Sequence, residues 1–123
     1  MMTMEVNMSG TKTIFKKIID REIPADIVYE DEDCLAFRDV NPQAPVHVLL
    51  IPKREIENVA ALSDEDQQLA GHLMLKVGLV ARELGVDQSG YRVVANIGQH
   101  GGQSVNHLHF HILAGRQMKW PPG

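Results

Sequence analysis

The stretch His107-Leu108-His109-Phe110-His111-Ile112-Leu113 alternates histidine with apolar residues. Strict alternation of this kind predicts a half-buried β-strand, here over Val105 to Leu113. Side chains on a strand repeat every two residues, so the three histidines share one face and Leu108, Phe110 and Ile112 the other. Alternate Cα atoms lie roughly 7 Å apart, so three imidazoles line one small patch. Imidazole exchanges protons, attacks electrophiles and binds metals near neutral pH. Half of the chain's 6 histidines collect in this row, which chance placement on an edge strand does not favour.

Directly ahead stands Asn96-Ile97-Gly98-Gln99-His100-Gly101-Gly102-Gln103-Ser104. The three glycines let the backbone turn sharply and approach a ligand closely. Such a loop aims several N–H groups at one anion, and Asn96, Gln103 and Ser104 add neutral donors. Glycines alone mark any loop between strands. Joined to a row of histidines, they predict an oxyanion or phosphate cradle beside a nucleophile. The rival chemistry is a metal, since His-x-His on a strand is a zinc geometry. Against it, no Asp or Glu neighbours the histidines along the strand to orient them, and one unbroken row diverges rather than converging on a point. No metal and no cofactor are expected.

Outward from this strand the chain divides into short elements. Ile14, Phe15, Ile18 and Ile19 form a helix-period stripe, with Thr11 or Thr13 as N-cap. Ile27 to Glu30 and Cys34 to Asp39 read as strands of a hairpin turning at Asp31-Glu32-Asp33. Asn41-Pro42-Gln43-Ala44-Pro45 is a loop, and Val46 to Ile51 a buried strand stopped by Pro52. Ser63 with Asp64-Glu65-Asp66 predicts a capped helix start, and Leu69, Leu73, Val77, Val80 and Leu84 follow at helical spacing to Gly85. Tyr91 to Ala95 is a further strand. Five strands and two helices without βαβ alternation point to an α+β fold with a mainly antiparallel sheet, one short N-terminal helix and one long helix.

Composition narrows the function classes. A chain of 123 residues suits one domain with a real core. A net charge of −4 argues against a basic face for nucleic acid, though not against a nucleotide, whose phosphates backbone N–H groups can meet. With Cys34 as the 1 cysteine, no internal disulfide can form. No apolar run approaches the roughly 20 residues that span a membrane, and Met1 to Gly10 has no secretory signal pattern. Residues 1–11 are expected to be a flexible N-terminus and the location cytoplasmic. Leu35, Phe37 and Asp39 share a strand face, so an aromatic and a carboxylate would sit as base platform and ribose clamp. A core role for Phe37 and a strand-end cap for Asp39 are the simpler alternatives. Cys34 reads as a small buried residue, His72 as structural or exposed, and His100 as solvated.

Taken together, these residues resemble the histidine-triad superfamily. Ile23-Pro-Ala, Cys34-Leu-Ala-Phe, Asp39, Pro42-Gln-Ala-Pro-Val-His47, Ile51-Pro-Lys, Gly101-Gly-Gln-Ser104 and Gly115-Arg-Gln-Met-Lys-Trp-Pro-Pro-Gly123 look like its Hint branch, the nucleoside phosphoramidases. The resemblance runs from about Thr13 to the last residue. It implies one domain over 12–123, including the tail 115–123. It also implies a homodimer that takes a purine nucleotide, with no nucleic-acid or membrane partner.

By the same resemblance His109 attacks the α-phosphorus of a nucleoside 5′-phosphoramidate and forms a nucleotidyl-histidine, which water hydrolyses. His111 and the loop N–H groups meet the phosphoryl charge, and Ser104 faces the leaving amine. His47 is the family's fourth histidine, and His107 holds hydrogen-bond geometry. Ile14, Phe15, Ile18, Phe37, Asp39 and Val40 match positions around base and ribose; for the Ile and Phe residues a core role fits equally. Asn96, Gly102, Gln103 and Ser104 belong with His109 and His111 to the nucleotide cradle, and Trp120 lies toward the leaving group and subunit interface. Two other functions compete: dinucleoside polyphosphate hydrolysis, and a nucleotide-sensing interaction module with little turnover.

Overall fold

The computed structural model describes residues 11–123, so the expected flexible N-terminus lies, but for Thr11, outside the described residues. Helix α1 (Ile14–Ile19) starts where Thr13 Oγ1 accepts the Lys16 N–H at 3.1 Å, which selects Thr13 over Thr11 as the cap. Strands β1 (Ile27–Glu30) and β2 (Cys34–Arg38) form the hairpin. Its turn is tied by Asp31, whose Oδ1 accepts from the Asp33 and Cys34 N–H groups at 2.8 and 2.9 Å. β3 (Val46–Pro52), β4 (Tyr91–Val94) and β5 (Phe110–Ala114) complete an antiparallel sheet of order β1-β2-β3-β5-β4.

The long helix α2 (Gln67–Glu83) lies between β3 and β4 in the chain. Ser63 does not cap it directly, because a single 3₁₀ turn over Asp64–Asp66 comes first. The Asp66 carboxylate accepts from the Ser63 N–H at 2.9 Å and also pairs with Arg54, so the acid that closes the turn anchors the approach from β3. At the far end Gly85 sits at φ 74°. The Val86 N–H reaches the Ala81 carbonyl and the Gly85 N–H that of Arg82, both at 3.0 Å, which satisfies carbonyls the helix leaves open.

The period of two divides the core between the sheet's two faces. Cys34, Ala36, Val48, Leu50, Leu108, Phe110 and Ile112 pack with Leu73, Val77 and Val80 of α2. Leu35, Phe37, Leu49 and Ile51 pack on the other face with Phe15 and Ile18 of α1. Truncating fully buried Leu73 to alanine would cost about 2–5 kcal/mol, the usual range for an aliphatic core side chain.

One expected element is shorter than its alternation suggests. Strand pairing starts at Phe110, opposite Leu50, and residues 105–109 lie outside the ladder. The ladder fails there because β3 runs into Pro52, which has no N–H to share. The segment bonds elsewhere: the Leu108 N–H donates to the Ile56 carbonyl at 2.6 Å. Side chains still alternate across it, with Leu108 in the α2 core and His107 and His109 against Phe15 of α1.

Candidate active site

Sheet register assembles the site. Phe37 pairs with Leu49 and Leu49 with His111, which sets these residues in one row across β2, β3 and β5. Neighbouring strands are roughly 4.8 Å apart, so such a row makes a continuous floor. Asp39, just past β2, donates its N–H to the His47 carbonyl at 2.9 Å and so sits beside His47 at one end of the floor. The Asp39 side chain turns the chain there by accepting the Asn41 N–H at 2.8 Å, which is why β2 stops at Arg38.

A cavity of about 250 Å³ opens over this floor. Of the expected site residues, Ile14, Phe15, Ile18, Phe37, Asp39, Val40, Ser104, His109 and His111 line it. Its lining joins apolar side chains of α1 and Phe37 to Ser104, His109 and His111, with Phe15 edge-on to His109 at 5.0 Å between ring centroids. Phe15 and Phe37 are both buried and both line the cavity, so core and pocket are not exclusive roles for them. Ile23, Pro24, Ala25, Arg38, Leu49 and Val105 also line the cavity and were not among the expected site residues. Leu49 could have been found, because His47, Leu49 and Ile51 share a period of two. Arg38 belongs to the opposite parity from Phe37 and carries no such signal.

Fixed hydrogen-bond partners determine which histidine nitrogens carry protons. His109 Nδ1 is 2.6 Å from the His107 carbonyl oxygen, which only accepts. Nδ1 therefore holds the proton and Nε2 keeps a free lone pair. His107 Nε2 likewise donates to the Pro52 carbonyl at 2.8 Å, so His107 braces the segment from outside the cavity lining. His47 has the reverse arrangement. Its Nδ1 accepts the Gln43 backbone N–H at 3.0 Å, so in the neutral ring Nε2 carries the proton. That proton points to His111 Nδ1, 2.9 Å away. His111 Nε2 then bears the remaining hydrogen as a donor.

Burial lowers the proton affinity of all three supporting imidazoles. It pulls His111 down to about 4, helped by neighbouring His109 and His47. It lowers His47, with Asp39 opposing, and His107, with the Pro52 carbonyl opposing. Near neutral pH these rings are uncharged, as a set of N–H donors and acceptors requires.

The remaining expected residues organise rather than line. Gln103 spends its whole amide on the loop: Oε1 accepts from the Gly98 N–H at 3.0 Å and Asn58 Nδ2 at 3.1 Å, while Nε2 donates to the Glu57 and Val105 carbonyls. Asn96 Nδ2 donates to the Gly101 carbonyl at 2.6 Å, and Gly102 takes φ 75°. Asn96, Gly102 and Gln103 thus fold the loop that presents Ser104. Trp120 lies outside the cavity lining and is 82% exposed.

Among the described residues, two clusters have the composition of metal sites. Ligand atoms of Asp39, His47 and His111 lie within 4.8 Å of one another. Asp39 supplies the acid that the local sequence of the histidine row lacks, because β2 brings it beside His47, 3.5 Å from Nε2. Yet the Gln43 N–H keeps the His47 proton on Nε2, the atom facing the cluster, and a cation there would have to displace it. Asp31, Cys34 and His72 form the second cluster. Asp31 Oδ2 already accepts from Tyr29 and His72 at 2.9 and 2.7 Å. This network ties α2 to the hairpin, and burial with the Asp31 charge pushes the Cys34 thiol up to about 12. Cys34 is therefore an inert core residue. His72 is structural, and His100 is exposed.

A model of the HIT domain matches residues 20–118. The chain belongs to the HIT family. An uncharacterized HIT-like protein of Synechococcus elongatus is 60% identical over 111 residues, spanning 90% of this chain and 96% of that one. A HIT family hydrolase from Legionella pneumophila superposes with a TM-score of 0.88 at 46% identity, covering 91% of this chain and 100% of its own. A hypothetical histidine triad nucleotide-binding protein from Sulfolobus tokodaii gives a TM-score of 0.67 at 34% identity, over 80% and 66% of the two chains. The five-stranded antiparallel sheet with one long helix is the HIT architecture. Among the described residues, no helix is long and apolar enough to cross a membrane.

Proposed function

We propose that this HIT protein is a cytoplasmic hydrolase of purine nucleoside 5′-phosphoramidates, working through a covalent nucleotidyl-histidine without metal or cofactor. The observation that carries the reading is the orientation of His109. The His107 carbonyl holds the proton on Nδ1, so the cavity receives an imidazole with a nucleophilic nitrogen free. The hydrolase and the nucleotide-binding protein among its structural neighbours support the same class.

In this mechanism the purine packs against Ile14, Phe15, Ile18 and Phe37, and Asp39 takes the ribose hydroxyls. His109 Nε2 attacks the α-phosphorus and the P–N bond breaks. His111 Nε2–H, oriented by His47, meets the phosphoryl oxygens as charge builds there. The nitrogen must leave as an amine, so it takes a proton, and Ser104 would orient it or relay a proton that it regains from solvent. Water then attacks the phosphorus and gives one proton to solvent as the P–Nε2 bond breaks, which releases the nucleotide and restores neutral His109.

Single-turnover hydrolysis of an adenosine phosphoramidate, run beside a diadenosine polyphosphate, tests this. Faster cleavage of the phosphoramidate is expected. Faster cleavage of the polyphosphate would assign the polyphosphate hydrolase activity instead. Nucleotide binding with no cleavage of either would favour the sensing module.

A further inference from the structure

The chain after β5 folds back on the loop that leads into β3. Gly115, at φ 95°, lies so close to Pro45 that a Cβ on it would stand 2.7 Å from the proline Cβ. The next residue, Arg116, donates from Nη2 to the Gln43 carbonyl at 3.2 Å. The other side of that residue does the chemical work: the Gln43 N–H donates to His47 Nδ1 at 3.0 Å.

An amide N–H cannot accept, so Gln43 rules out a proton on His47 Nδ1 while the contact holds. If Gln43 moved away, only the Asp39 carboxylate, 3.5 Å from Nε2, would still favour a proton on that nitrogen, and neutral His47 could carry its proton on either one. With the proton on Nδ1, Nε2 would become an acceptor facing His111 Nδ1. His111 would then have to protonate Nδ1 to satisfy it, and its Nε2 would lose the hydrogen offered to phosphate.

We propose that Arg116 is a positioning residue: by holding the Gln43 carbonyl it sets the tautomer of His47, and through it the donor state of His111. The link runs Arg116–Gln43–His47–His111, and each polar step lies between 2.9 and 3.2 Å. Pro42 and Pro45 on either side of Gln43 limit the ways the loop can relax. The tail thus acts on the site through the loop before β3. The tautomer step stands on geometry alone; its effect on turnover rests on the hydrolytic reading above.

The test reads the imidazole nitrogens of His47 by heteronuclear NMR in the full chain, alongside steady-state hydrolysis of an adenosine phosphoramidate. In the unmodified protein His47 should be protonated on Nε2 and bare on Nδ1. Arg116→Ala should populate both tautomers and lower kcat roughly tenfold with little change in KM, as losses of orienting partners commonly do. Arg116→Lys, which can still donate to the carbonyl, should restore most of both. A His47 protonated on Nδ1 in the unmodified protein would overturn the proposal. So would an Arg116→Ala protein that keeps a single Nε2–H tautomer, whatever its activity. A tautomer shift without loss of turnover would uphold the link and count instead against the role given to His111.

Discussion

The Nδ1 of His109 lies 2.6 Å from the carbonyl oxygen of His107, two residues earlier in the chain. One main-chain acceptor therefore decides which nitrogen of the central histidine is free to react. Replacing His109 by alanine should abolish turnover while leaving nucleotide affinity within a few-fold, since the proposed mechanism holds base and ribose by other groups. Equilibrium binding of AMP, paired with mass spectrometry of quenched reactions, checks both halves. A nucleotidyl adduct on any other histidine would refute the assignment.

The acid limb of stability follows from the supporting rings. Folded His111 titrates near 4 against 6.5 for an ordinary imidazole. Between these values the unfolded chain binds more protons than the folded one, so protonation favours unfolding. His47 and His107 shift in the same direction. The His111 contribution should be complete above about pH 6.5 and lost as pH falls toward about 4, with His47 and His107 adding to the loss in the same direction. Thermal melts across that window should show a falling Tm, and His111→Asn should shallow the slope. A Tm that stays flat or rises on acidification would contradict it.

Ser104 is exposed and lines the cavity, presented by the loop that Gln103 and Asn96 hold. If its hydroxyl serves the departing nitrogen, Ser104→Ala should slow phosphoramidate cleavage by about 10²-fold, the lower end for general acid catalysis. A nucleotide ester with a good leaving group should lose much less. Equal losses on both substrates would reduce Ser104 to a phosphate contact.

The edge strand β4 carries exposed Tyr91 and Val93, and Trp120 is exposed in the tail that Arg92 of β4 ties down through the Lys119 carbonyl. Unpaired strand edges and a bare indole both gain from a second subunit. Sedimentation should give a homodimer, and deleting residues 118–123 should alter preference among leaving amines more than nucleotide affinity. A fully active monomer, or unchanged selectivity after truncation, would count against it.

Much of this molecule follows from local pattern. The elements are strongly periodic, the helix starts carry Thr13 and Ser63 and the end of α2 carries Gly85, and the alternation in 107–113 assigns every side chain to its face. That survives even where the strand does not, because facing is set by backbone geometry at each residue, whereas pairing needs a partner with an N–H to offer. Pro52 withholds one, and only the register between β3 and β5 reveals it. The roles inside the site depend on contacts across long stretches of chain. Asp39 reaches His47 because β2 and β3 pair, and His47 reaches His111 across β3 and β5. Gln43 sets the His47 proton through a backbone N–H that no side-chain motif encodes. The sequence by itself determined the class of fold and which residue types could do phosphoryl chemistry. The tertiary structure decided which nitrogen of each histidine is free, because a neutral imidazole takes its tautomer from the partners that surround it.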